Sequence, residues 1–133
     1  MVFIALPPFS PVVFGYDPVS NAVLVTCQSE LEGQQLVSVL GGVTQLLETH
    51  PGSRLLFDLK NLVACDAPNQ AHLLEQWLPA MHTLGLGTIV LVPPTRKRTN
   101  AVADGLKAKA AELGIRINTF SSAEGAHQWL TTH

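Results

Sequence analysis

Asp58, Asp66 and His72 lie close together in the chain and are the residues whose types could form an acid–base set. Such chemistry needs a proton donor and acceptor at hydrogen-bonding distance, and spacing alone does not supply that. Asp66 also has a sufficient structural task, because Asp66-Ala67-Pro68 reads as a helix start. There the carboxylate caps free backbone N–H groups, and proline occupies the first turn, where its missing N–H costs nothing. The structural reading of the carboxylates prevails. The five histidines, His50, His72, His82, His127 and His133, form no H-x-x-x-H or other ligand pair, so no metal is expected. Arg96-Lys97-Arg98 follows an expected strand end and precedes an expected helix start, where α/β sheets often bind anions. It is the candidate anion site, with a solvated loop as the plain alternative. Gly85-Leu86-Gly87 lacks the third glycine of a dinucleotide fingerprint and reads as helix termination. No G-x-S-x-G, Cys–His pairing or P-loop is present. Neither a catalytic residue nor a cofactor site is assigned.

The elements that position these residues centre on Arg54 to Gly85. Leu55-Leu56-Phe57-Asp58-Leu59 is an apolar run with one carboxylate, the pattern of a strand covered on both faces, and is expected at the middle of a sheet. The following helix sets Leu73, Leu74, Trp77, Leu78 and Met81 on one side, and Pro79 should kink or break it near Trp77 or Leu78. Trp77 with Met81 and Leu84, or Trp129 with Leu130, could line a pocket for an apolar ligand; core packing is the preferred reading. Val12–Tyr16 and Ala22–Cys27 flank the turn chemistry of Asp17-Pro18-Val19-Ser20-Asn21 and make a hairpin. Ser29-Glu30-Leu31-Glu32 has the form of a capping box and predicts a helix start there. Leu36, Val39, Leu40, Val43 and Leu47 form the buried face of that helix, and Gly33, Gly41 and Gly42 fall inside it. Thr88–Val92 is a second central strand, Thr99 or Asn100 caps a helix stopped by Gly114, Ile115–Phe120 is a strand, and Ser121 or Ser122 caps the last helix.

The expected order is β-β-α-β-α-β-α-β-α: an α/β fold with a mixed sheet of about five strands, parallel pairs and about four helices. A chain of 133 residues suits a single domain, 1–133, with residues 1–11 as a proline-rich apolar N-terminal arm that covers the sheet edge or docks on a partner subunit. Hydrophobic residues make up 47% and charged residues 14%, which excludes general disorder. A net charge of −2 offers no basic field for nucleic acid. No apolar run reaches the ~18 residues of a membrane span, and the N-terminus lacks the positive region of a signal peptide. Cys27 and Cys65 have no metal-type spacing and read as buried thiols of a reducing compartment, so a cytoplasmic protein is expected.

At Phe57-Asp58-Leu59-Lys60-Asn61-Leu62, Trp77-Leu78-Pro79-Ala80, Gly85-Leu86 and the strand ending in Pro93, the chain resembles small bacterial proteins of the STAS/SEC14-like class, similar in fold to anti-sigma-factor antagonists. Phe120, Ser121, Ala123-Glu124-Gly125-Ala126 and Trp129-Leu130 extend the likeness, which runs from about Phe14 to Leu130. In the antagonist family the strand-turn-helix corner presents a serine, within an Asp-Ser-Ser-Gly-type motif, that a partner kinase phosphorylates. Position by position that motif falls on Asp66-Ala67-Pro68-Asn69, and Ala67 stands in the acceptor position without a hydroxyl. The resemblance thus implies a non-enzymatic STAS-like interaction or regulatory module without that switch. Its surface is Asp66, Ala67, Pro68, Asn69 and Gln70, and its partner is another protein or itself as a homodimer. The SEC14 side of the class implies the alternative, a domain for an apolar small molecule or lipid.

Overall fold

The computed structural model describes residues 2–4, 12–27, 30–31, 35–62, 64–95 and 100–133. Its strands, numbered along the chain, are β1 (Val2–Ile4), β2 (Val12–Asp17), β3 (Ala22–Cys27), β4 (Glu30–Leu31), β5 (Arg54–Asp58), β6 (Ala64–Cys65), β7 (Thr88–Val92) and β8 (Arg116–Thr119). Six of them form one sheet in the order β1-β2-β3-β5-β7-β8, antiparallel from β1 to β3 and parallel from β3 to β8. The five expected strands are all present, and the apolar run at Leu55–Leu59 lies inside the sheet between two parallel neighbours. The sixth strand of this sheet, β1, lies at the start of the arm and pairs along β2, while β4 and β6, also unexpected, pair with each other. The rest of the arm, residues 5–11, lies outside the described residues.

One face of the sheet carries Val23, Val25, Leu55, Phe57, Ile89 and Leu91 into a core with three helical segments. These are α1 (Gln35–Thr49), the helix running from Ala67 to Thr83, and α4 (Asn100–Leu113). The other face presents Ala22, Leu56, Val90 and Val92 to Ala126 and Leu130 of α5 (Ala123–Thr132). Both faces of β5 are therefore covered, which is why its sequence does not alternate. Burying a side chain such as Phe57 contributes about 1.5–3 kcal/mol. Gly42 is explained by packing: a Cβ there would lie 2.5 Å from Cζ of Phe14. At Gly105 a Cβ would lie 2.6 Å from Cδ1 of Leu74, so α4 approaches the second helix at a residue with no side chain.

The capping-box expectation at Ser29 is corrected. Glu30–Leu31 is a strand paired in parallel with Ala64–Cys65, and α1 runs from Gln35. Strand pairing with a distant segment outweighs a cap signal of roughly 1 kcal/mol. Gly33 and Thr99 lie outside the described residues. The second helix responds to Pro79 where expected, in an unexpected form. After a regular turn, α2 (Ala67–Ala71), residues His72–Trp77 adopt a π-helix, and α3 (Leu78–Thr83) resumes regular geometry. The N–H of Leu78 donates to Leu73 O, one residue beyond the usual acceptor. The helix widens just before the residue that cannot donate instead of breaking there.

Gly85 at φ +107° and Gly114 at φ +82° end α3 and α4 in the left-handed conformation that glycine adopts without strain. In the last helix Ser122 Oγ accepts from Gly125 N–H at 3.1 Å. Among the described residues no helix is long and apolar enough to cross a membrane.

Candidate functional site

The corner that follows β5 is built locally. Asp66 Oδ1 accepts from Asn69 N–H at 3.0 Å, Gln70 N–H donates to Asp66 O at 3.0 Å, and Pro68 sits in the first turn. Asp66, Ala67 and Pro68 are exposed; Asn69 is buried, and Gln70 is half-buried with its Nε2 donating to Cys65 O at 2.7 Å. The outward part of the expected surface is therefore Asp66–Pro68, while Asn69 and Gln70 turn inward. Ala67 is the first residue of α2, and its methyl group has no oxygen to accept a phosphoryl group.

The other residues singled out from sequence are engaged separately. Asp58 is buried at the end of β5, and its Oδ1 accepts from Lys60 N–H at 3.0 Å. Asp66 serves as a cap, and His72 is half-buried in the π segment. Trp77 belongs to the core, where its Nε1–H donates to Thr44 Oγ1 at 3.0 Å. Burial pushes the Cys27 thiol up strongly, and it pushes the half-exposed Cys65 thiol up to about 11, so neither is a ready thiolate. Among the described residues no three His, Cys, Asp or Glu side chains converge as a metal site. The candidate anion residues Arg96, Lys97 and Arg98 lie outside the described residues.

At the opposite end of the parallel strands is a polar network that sequence reasoning missed. Asp17, at the end of β2, accepts from Val19 N–H at 3.0 Å and from Ser20 Oγ at 2.9 Å, and its Oδ2 lies 2.6 Å from His127 Nε2 of α5. Its side chain is 5% exposed, against 43% for His127. Burial alone would raise the Asp17 carboxyl. The hydrogen bonds from His127, Ser20 and Val19 and the charge of His127 outweigh burial and hold it below its ordinary value. Arg54 Nη2 donates to Ser20 O at 2.6 Å and to Leu130 O at 2.7 Å, and its guanidinium carbon lies 5.9 Å from the Trp129 ring centroid. Tyr16 stacks on His50 at 3.6 Å and donates to Asn21 Oδ1 at 2.7 Å. A turn signature at Asp17–Asn21 was visible in the chain; its partners, far away in sequence, were not.

No known family profile matches the sequence, and no curated protein matches it. The matches are structural. The fold is similar to that of an uncharacterised protein of the DUF3478 family with a SpoIIAA-like fold from Shewanella loihica PV-4. That match has a TM-score of 0.65 at 10% identity and covers 95% of this chain and 98% of the other. It is also similar to apo-SiaC from Pseudomonas aeruginosa, with a TM-score of 0.53 at 15% identity over 90% of this chain and 98% of the other. A chain of the complex between the diguanylate cyclase SiaD and its activator SiaC, from the same organism, matches with a TM-score of 0.52 at 14% identity, covering 90% and 98%. The chain therefore has the SpoIIAA-like, STAS-type α/β fold.

Proposed function

We propose that this chain is a non-enzymatic STAS-like module that acts by binding another protein through the corner at Asp66–Pro68 and the adjoining exposed face of the second helix. The observation that carries the reading is the corner itself: a capped helix start whose first residues point outward, with alanine at the position where antagonists of this fold hold their serine. Contact through it is not switched by phosphorylation at residue 67. SiaC, whose fold is similar, is an activator found in complex with an enzyme, and this supports a protein partner for the present fold. The reading places the module in the cytoplasm and includes self-association as a homodimer. The alternative, an apolar small-molecule or lipid carrier, draws less support, because Trp77, Leu78 and Met81 are spent on the core between the second helix and the sheet.

The test is a photo-crosslinking amino acid placed at Ala67, with a control at exposed Gln128 on the far side of the sheet, in cells that make the protein. A single discrete adduct from position 67, absent from position 128, is expected, with the adduct protein identified by mass. Equal labelling from both positions, or a native mass spectrum dominated by a retained apolar molecule, overturns the reading.

A further inference from the structure

Four connections line the end of the sheet where the parallel strands begin: Pro18–Asn21 before β3, His50–Ser53 before β5, Leu84–Gly87 before β7 and Gly114–Ile115 before β8. They contain no Asp, Glu, Lys or Arg. The two large hydrophobic side chains exposed among the described residues, Val19 at 79% and Leu84 at 47%, both lie here. The neighbouring charges of β2 and β5 are turned to internal use, Asp17 by its three donors and Arg54 by the carbonyls of Ser20 and Leu130. Exposed Glu48, Glu112 and Arg116 remain at the rim.

The surface is also fixed in shape. Arg54 N–H donates to Asn21 O, Asn21 Nδ2 to Gly52 O, and Arg116 N–H to Gly87 O, which tie the first three connections to a neighbour or to the strand beside them, and Ile115 N–H donates back to Ala110 O of α4. A partner would meet little ordering cost here.

We infer that this end is the surface on which a second copy of the chain docks. In a two-fold contact each group near the axis meets its own image, so a charge there faces a like charge. Connections without Asp, Glu, Lys or Arg avoid that repulsion near the axis, whereas the opposite end exposes Lys60 and Asp66. Size agrees. Strands lie about 4.8 Å apart, so the row from the hairpin to β8 extends roughly 15–20 Å. A standard interface of about 800 Å² per partner is roughly 28 Å across and spans the whole row with its charged rim. Two copies joined this way leave both Asp66–Pro68 corners pointing outward.

The inference rests on the self-association part of the reading above, and its test is separable from the corner's. The full chain is followed by light scattering and sedimentation over rising concentration, beside Val19→Glu and Leu84→Glu, with circular dichroism to check that each variant folds. The expected result is a mass reaching twice 14.3 kDa, with each variant weakening association by about tenfold or more. A mass of one chain at every concentration overturns the inference, as does a dimer that both folded variants leave unchanged. Crosslinking from Ala67 is expected to be the same in all three proteins.

Discussion

The two ends of the central sheet are constructed by different means. Where the parallel strands finish, the Asp66 corner is held by local bonds such as Asn69 N–H to Asp66 at 3.0 Å, and Asp66, Ala67 and Pro68 stay outside. Where the strands start, side chains far apart in sequence, Asp17 with His127 and Arg54 with Leu130, are bonded to one another. Polar groups there hold the shape, and the connections between elements at that end carry no Asp, Glu, Lys or Arg. Local construction leaves Ala67 and Pro68 on the outside, and long-range construction ties the charged groups of Asp17 and Arg54 into the fold.

Removing Asp17 attacks this contrast hardest. Asp17→Ala strands the donors of Ser20 and Val19 and releases His127, and should cost about 2–3 kcal/mol in urea unfolding. A loss below about 0.5 kcal/mol would mean that the network does not determine that end. The same residue gives a pH signature. Its folded carboxyl lies below the ordinary value of 3.8, so the unfolded chain takes up this proton first as pH falls. Its contribution is complete above the unfolded value and is lost as pH falls through the folded one. Stability of Asp17→Asn should accordingly decline less steeply below about pH 4 than that of the native chain.

Arg54→Lys should cost about 1–2 kcal/mol, because a single ammonium does not reproduce the guanidinium bridge between Ser20 O and Leu130 O. At the corner, Asp66→Ala should cost about 1 kcal/mol, the usual loss for an N-cap, measured by thermal unfolding. Ala67→Ser, at an exposed first helical position, should shift stability by no more than about 0.5 kcal/mol. If Asp66→Ala proved as damaging as Asp17→Ala, the distinction between the two ends would fall.

The difference in construction also explains what the sequence disclosed. The cap at Asp66, the stops at Gly85 and Gly114 and the cap at Ser122 are signals carried within a few residues, and each appears in the structure. The apolar runs at Leu55–Leu59 and Thr88–Val92 were legible because burial on both faces leaves no polar alternation. The bond from His127 to Asp17 and the Arg54 bridge were not, since nothing in a turn or a helix names a partner across the fold. Ser29–Glu32 shows the reverse failure: a good local signal overruled by the pairing of Glu30–Leu31 with Ala64–Cys65. At the candidate site the corner was located from sequence, but the inward turn of Asn69 and Gln70 depends on tertiary packing.

The widened coil at His72–Trp77 bears on how this corner is aimed. Each π-type ring encloses one residue more than an α-type ring, so this stretch acts as a phase adjuster between the outward start of the helix and the part anchored by Trp77, Leu78 and Met81. Shortening it by one residue would rotate Asp66–Pro68 about the helix axis while the anchored half kept its grip on the sheet. The direction in which the corner points is thus written in the length of the segment behind it.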